Sequence, residues 1–205
     1  MIKKSILILI ALSFFSVCFA GSIQDAQKKA IAMKNATVGY TEQQDLPGTK
    51  DADASTTLGN ASNGTWYVAG RFTASSSYTC TKIEVYVSVV TGSPTQTLTG
   101  YIYSKTGANY WDDVPNALLE TSTNTIDSTT ISASTYITFL FTGEALTNAE
   151  QYWAVFKTSA YDDDNNISLR YDSSDVQRVM SSVTPISWSN TDNSGALHIK
   201  IYSGG

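Results

Sequence analysis

Residues 82–89 of the chain read KIEVYVSV, so isoleucine and valine alternate with polar or aromatic residues. This period of two predicts a β-strand with one buried face, because successive side chains of a strand point to opposite sides. Similar runs occur at 66–73, 97–103, 135–141, 151–157, 167–171 and 196–202, and weaker ones at 118–122 and 180–188. The sequence thus predicts about nine short strands.

Clusters of glycine, asparagine, aspartate, serine and proline separate these runs, and no long helical pattern lies between them. Short antiparallel strands bury their apolar faces by stacking in two layers. We therefore predict an all-β fold, an antiparallel two-sheet sandwich that is jelly-roll-like. The sandwich domain is predicted over 57–205, because the period of two begins after Thr57.

The start of the chain has the features of an export signal. Lys3 and Lys4 precede an apolar run at 6–15, and small residues lead to Ala20. The run is too short to span a bilayer, which takes about 20 apolar residues. We predict a signal peptide over 1–20, a secreted, periplasmic or cell-surface protein, and no membrane span after cleavage.

A polar N-terminal arm is predicted at 21–56. Its beginning carries Ile23, Ala26, Ala30 and Met33 at helical spacing, which is compatible with one short helix. The rest has too little apolar surface to offset the entropy of ordering it, which indicates a linker. As an alternative function, the arm adds a strand to a neighbouring subunit of a surface layer or filament.

Charge and cysteine content argue against a nucleic-acid-binding protein and against a fold stabilised by internal disulfides. The 205 residues include 13 Lys or Arg and 18 Asp or Glu, which gives a net charge of -5. Nucleic acid is not an expected partner, because binding it needs clustered basic side chains. Cys80 is the one cysteine beyond residue 20, so no internal disulfide is expected. We expect Cys80 in the core, with a bridge between chains as the alternative.

Catalytic constellations are not evident in the sequence. His198 is the single histidine, and nucleophilic catalysis needs a base with a nucleophile and an orienting group beside it. One histidine and one cysteine do not supply a zinc ligand set. Glycoside hydrolysis needs two facing carboxyl groups, and the acids here are scattered over different elements. We predict no enzymatic activity and keep a glycoside hydrolase as the second alternative.

An acidic turn lies at 162–166. The side chains of Asp162, Asp164 and Asn166 alternate like the first ligands of a calcium loop, but an EF-hand would have glycine in place of Ile167 and glutamate in place of Ser173. Two interpretations stay open, a structural calcium site of another type and a turn without metal. No other cofactor is predicted.

Three tyrosines fall on the polar register of their strands. Tyr86 accompanies Glu84 on one strand, and Tyr101 and Tyr103 lie on the next. If these two strands pair, the rings and the carboxylate share one outer face, where a sugar ring can stack while polar neighbours bind its hydroxyl groups. The alternative is that tyrosine is simply favoured in strands and the face is covered.

Several segments resemble a known family in their order and spacing. They are GRFT at 70–73, YTCTKI at 78–83, PNALLE at 115–120, YWAV at 152–155 and LHIKIY at 197–202. Residues 66–202 thereby resemble the choice-of-anchor R family, a β-sandwich domain of secreted and surface proteins of microbes. The resemblance implies this fold and this location, and no particular activity.

The loop before Pro115 is longer than in that family and inserts NYWDD at 109–113. An indole in a polar loop has no core to join, so the insertion is a candidate for ligand binding. The sequence therefore predicts a non-catalytic recognition module for a glycan or another cell-surface polymer. Its candidate ligand-binding residues are Tyr110, Trp111, Tyr86, Tyr101, Tyr103 and Glu84.

Overall fold

The computed structural model describes residues 39–46, 54–59, 66–107, 113–160, 162–173, 178–182, 188 and 193–204. Within these ranges the strands are β1 (Thr41–Leu46), β2 (Ala54–Leu58), β3 (Tyr67–Thr73), β4 (Tyr78–Thr91), β5 (Thr97–Lys105), β6 (Pro115–Asp127), β7 (Thr135–Leu146), β8 (Gln151–Thr158), β9 (Asn166–Asp172), β10 (Arg178–Ser182), β11 (Asn193–Ser194), β12 (Ala196–Leu197) and β13 (Ile199–Ser203). A 3-10 turn, Ser128–Thr130, also lies in these ranges. No helix in the described ranges is long and apolar enough to cross a bilayer.

The strands form two antiparallel sheets. Sheet 1 contains the order β2-β9-β4-β7, and sheet 2 contains the order β3-β8-β5-β6. From β2 to β9 each strand lies in the sheet opposite its predecessor, except that β5 and β6 are neighbours in sheet 2. This is the strand order of a jelly roll, so the predicted fold class is confirmed.

The remaining strands extend both sheets. β10 and β11 continue sheet 2 beyond β3, β12 pairs with β9, and β13 lies between β4 and β1. His198 separates β12 from β13 at the point where β4 and β9 diverge. Its carbonyl accepts a hydrogen bond of 2.9 Å from the Tyr86 amide, and its amide donates one of 2.9 Å to the Arg170 carbonyl. Sheet 1 therefore forks at His198.

The sandwich begins earlier than the sequence indicated. β1 pairs with β13 and β2 pairs with β9, although β1 and the start of β2 fall within the arm predicted at 21–56. β1 is half-exposed, and its backbone hydrogen bonds hold it in the sheet. Side-chain bonds add to these, such as the one of 2.6 Å from Gln44 Nε2 to the Thr73 carbonyl. The strand therefore forms without alternating apolar residues in its sequence. The predicted linker is corrected over these two strands. Residues 1–38, with the predicted signal peptide and short helix, lie outside the described residues.

The main core fills the space between the two sheets. Ile83, Val85 and Val87 of β4 are fully buried there, as the alternation in 82–89 predicted. Val89 breaks the pattern and is 48% exposed, because the pairing of β4 with β9 shifts register between Val87 and Val89. Cys80 is also fully buried, and this burial raises the pKa of its thiol to about 12. The predicted core position of Cys80 is confirmed.

A second cluster covers the outer face of sheet 2. Tyr67, Tyr103 and Trp153 are among its members, together with Trp188. β8 lies between β3 and β5 and is apolar on both faces, as its sequence indicated. The cluster also surrounds the carboxylate of Asp113, which accepts a bond of 3.1 Å from the Trp153 indole. The part of the outer face of sheet 2 that carries this cluster is therefore buried.

Side chains join the two sheets where β6 and β7 run side by side. Asn124 donates to the Thr138 carbonyl over 2.9 Å, and its own oxygen accepts from the Leu140 amide over 2.7 Å. The Glu120 carboxylate accepts from the Thr142 amide over 2.6 Å. These bonds satisfy backbone groups of an edge strand that would otherwise pair with another chain.

Two glycines set how closely the sheets approach. A Cβ atom on Gly100 would lie 2.7 Å from Cγ of Phe139, and one on Gly70 would lie 2.5 Å from Cβ of Leu197. Both contacts are far shorter than ordinary van der Waals distances. The core therefore has no room for a methyl group at either position.

We expect Gly100→Ala to lower the free energy of unfolding by about 1–3 kcal/mol, because the added methyl group displaces the Phe139 ring. Urea denaturation followed by tryptophan fluorescence measures the change. Thr97→Ala is the matched control, since Thr97 is exposed on the same strand and should change stability by less than about 0.5 kcal/mol. An unchanged midpoint for Gly100→Ala would contradict this packing.

Candidate functional site

Among the half-buried aromatic side chains on the outer face of sheet 1, Tyr86, Tyr136 and His198 contact one another, and we call these three the aromatic platform. Each points outward because its strand neighbours, such as Val85 and Ile199, point into the core. Tyr86 of β4 and Tyr136 of β7 are directly paired across the strands. The fork in sheet 1 brings His198 beside them.

The rings of the platform hold one another in place. The imidazole of His198 stacks on Tyr86 with centroids 5.3 Å apart and planes at 29°. Tyr136 meets Tyr86 edge to face at 5.1 Å. The Tyr136 hydroxyl lies 2.9 Å from Nε2 of His198, within hydrogen-bond distance. The three rings therefore form a rigid surface with little rotamer freedom left to lose on binding.

Polar groups lie next to the platform around the carboxylate of Glu84. This carboxylate accepts hydrogen bonds from Lys82 Nζ at 3.0 Å, from the Tyr202 hydroxyl at 2.8 Å and from the Thr138 hydroxyl at 3.4 Å. Lys82 also lies 3.6 Å from the centre of the Tyr202 ring, a cation–π contact. Desolvation and the bond to Glu84 raise the pKa of Tyr202, so its hydroxyl stays protonated.

A second group of charges lies where β1 joins the face. Lys200 is 3.4 Å from Glu42 and 3.2 Å from Asp45. Partial burial lowers the pKa of Lys200, but the hydrogen bond and charge of Asp45 outweigh it and the pKa is raised overall. Because these ion pairs are partly exposed to water, they orient side chains more than they stabilise the fold.

His198 is held in its neutral form. Burial lowers the pKa of its imidazole, the charge of Asp45 opposes this, and the charges of Lys200 and Arg170 lower the pKa further. Its Nδ1 atom is buried without a hydrogen-bond partner among the described residues. A proton there would have no acceptor, which agrees with the direction of the shift.

The structure separates the tyrosines that the sequence grouped together. Tyr86 and Glu84 lie on β4 in sheet 1, whereas Tyr101 and Tyr103 lie on β5 in sheet 2. The strands β4 and β5 do not pair, because the jelly-roll order sends most successive strands to opposite sheets. Tyr103 is 8% exposed and packs with Trp153 in the second cluster, and Tyr101 packs against that cluster. The condition for a shared face, pairing of these two strands, is therefore not met, and the four residues lie on two sheets.

The other members of the platform were missed at the sequence level. Tyr136 belongs to a predicted strand at 135–141, where it precedes the inward Ile137 and so carries an outward register. The sequence offered His198 only as a candidate for catalysis or zinc binding. The missing information was which strands are neighbours, since no local pattern specifies a pairing across 62 residues.

Tyr110 and Trp111 lie outside the described residues, so their candidacy stays a prediction. The end of the same insertion, Asp113, is described and is 2% exposed. It forms an ion pair of 3.0 Å with Arg71 on the outer face of sheet 2. This end of the loop is therefore anchored by a buried charge pair rather than displayed for binding.

The acidic turn at 162–166 is held by hydrogen bonds among its own residues. Asp162 accepts bonds from the Asp164 amide at 2.9 Å and from Nδ2 of Asn165 at 2.8 Å, and these bonds lower the pKa of its carboxyl group. Asn166 donates to the Asp163 carbonyl at 2.8 Å. No group of three or more His, Cys, Asp or Glu side chains in the described ranges is placed to hold a metal. The structural calcium ion stays a prediction.

The protein should become less stable as the pH falls through the range in which histidine titrates. Since the folded pKa of His198 lies below its ordinary 6.5, the unfolded chain takes up the proton first below that pH. We expect a lower urea midpoint at pH about 5.5 than at about 7.5, a window above most carboxyl titrations. His198→Gln keeps an amide that can hydrogen-bond with the Tyr136 hydroxyl and should flatten this dependence. If the urea midpoint falls equally with pH in the wild type and in His198→Gln, His198 is not the group responsible.

Comparisons with known proteins leave the resemblance to choice-of-anchor R domains a prediction. No protein-family model matches the chain. A search of curated proteins and a search of solved structures likewise find no match.

Proposed function

We propose that the protein is a secreted, non-catalytic recognition module that binds a glycan on the aromatic platform of sheet 1. The stacked pair of Tyr86 and His198, with Tyr136 at its edge, is the observation that carries this proposal. Lys3 and Lys4, followed by the apolar run at 6–15, support secretion.

The platform has the chemistry that a sugar ring requires. The axial C–H groups of a pyranose stack on an aromatic face, while its hydroxyl groups need donors and acceptors at the rim. Tyr86 and His198 offer ring surface, and Thr138 and the Lys82–Glu84 pair supply the polar rim. Because the rings already fix one another, binding orders few side chains and loses little entropy.

The state of Glu84 favours binding over chemistry. A catalytic carboxyl group of a glycosidase works as an acid, base or nucleophile beside a second carboxyl group. Glu84 instead receives three hydrogen bonds from Lys82, Thr138 and Tyr202. In this setting it orients neighbouring donors, and we propose that no covalent step takes place.

We expect Tyr86→Ala to weaken glycan binding by about threefold to tenfold, since one aromatic stacking contact contributes about 0.5–1.5 kcal/mol. The ligand is first identified on a glycan array and by pull-down on insoluble polysaccharides. Titration calorimetry then gives the affinities of wild type and variant.

Leu118→Ala is the control for that variant, because Leu118 is 50% exposed on β6 in the other sheet. It should bind like the wild type. If the wild type binds no glycan or polysaccharide, the proposed function is wrong. If Tyr86→Ala binds as tightly as Leu118→Ala, the platform is not the site.

The inserted loop provides an independent test. Trp111→Ala should weaken retention on the same ligand without unfolding the domain if the loop extends the site, because an exposed indole adds stacking area. Circular dichroism checks folding. If Trp111→Ala is retained as well as the wild type, the loop is not part of the binding site, and the platform remains the proposed site.

A further inference from the structure

A groove of about 440 Å³ runs along the seam where β6 and β7 meet. Its lining includes the apolar Ile126, Ile131 and Leu140 and the hydroxyl-bearing Thr130 and Ser132. The Thr130 hydroxyl donates to the Asp127 carbonyl over 2.7 Å and keeps its oxygen as an acceptor. Ile126 and Ile131 are partly buried against the main core, so this wall is fixed. The volume falls within the range of small-ligand sites.

The groove is continuous with the aromatic platform. Tyr136 and Thr138 line the groove. The same Tyr136 packs edge to face on Tyr86, and the same Thr138 donates to Glu84. A chain-like ligand that lies across the platform therefore reaches the groove with its next unit, without crossing another wall.

The lining that the described residues form contains no charged side chain. Asn124, the most polar member, already uses its amide on the backbone of β7. A carboxylate, sulfate or ammonium group entering the groove would lose hydration without gaining a counter-charge, which is costly. A group with a methyl end and a neutral dipole would match both the apolar walls and the hydroxyl rim.

We infer that the groove is a subsite for an N-acetylated, uncharged sugar unit of the glycan bound on the platform. The methyl of the acetamido group packs against Ile126 and Ile131. Its N–H and C=O groups lie toward the hydroxyl groups of Thr130 and Ser132. The inference rests on the proposed glycan recognition and deepens it by naming the substituent that the site selects.

The test compares chitohexaose with cellohexaose. These two neutral oligomers share ring stereochemistry and linkage and differ in carrying an acetamido or a hydroxyl group on each ring. We expect the protein to bind chitohexaose about fourfold more tightly or better, the factor that burial of one methyl group provides. Titration calorimetry measures both affinities.

Ser132→Tyr fills the groove from its exposed rim without removing a core contact. It should abolish the preference for chitohexaose. Leu118→Tyr adds the same ring at an exposed site outside the groove and should keep the preference. Tyr86→Ala should weaken the binding of both oligomers by the same factor, because the platform binds the sugar rings themselves.

The outcomes separate the inference from the function on which it rests. Binding of both oligomers without a preference, or a preference that survives in Ser132→Tyr, overturns the acetamido subsite and leaves glycan recognition intact. Absence of binding to both, and to every glycan on the array, overturns the proposed function and the subsite together.

Discussion

The alternation of side chains along β4 is the constraint on which the rest of the structure depends. One face of this strand buries Ile83, Val85 and Val87, and each such side chain contributes about 1.5–3 kcal/mol when fully buried. The opposite face presents Glu84 and Tyr86 in a register that the core cannot alter without exposing itself. The position of the candidate site is therefore fixed by the packing of the interior.

The length of β4 produces the fork in sheet 1. β4 has 14 residues, and one of its edges pairs first with β13 and then with β9. The segment between β12 and β13 must pass through the point where these partners separate. His198 occupies that point with both backbone groups bonded, to Tyr86 and to Arg170. Its ring is consequently held over Tyr86 by the backbone of two strands.

Local periodicity was sufficient to predict the two-sheet sandwich, because inward residues such as Val85 and Phe139 recur every second position. It was insufficient for β1, which pairs through its backbone at a sheet edge and is polar at every residue before Leu46. It was also insufficient for the site. Tyr101 has the same local pattern as Tyr86, and only strand pairing shows that one lies against the second cluster and the other on the platform.

The contrast between the two outer faces explains why recognition is assigned to sheet 1. The outer face of sheet 2 is buried where Trp153 and Tyr103 pack against Trp188, and its ion pair between Arg71 and Asp113 is withdrawn from water. A buried pair of this kind stabilises little in net terms, but removal of one partner leaves an uncompensated charge, so the pair holds Asp113 against sheet 2. The outer face of sheet 1 instead keeps half-exposed rings beside satisfied polar groups. A ligand there can exchange water for ring contact without first displacing any described part of the protein.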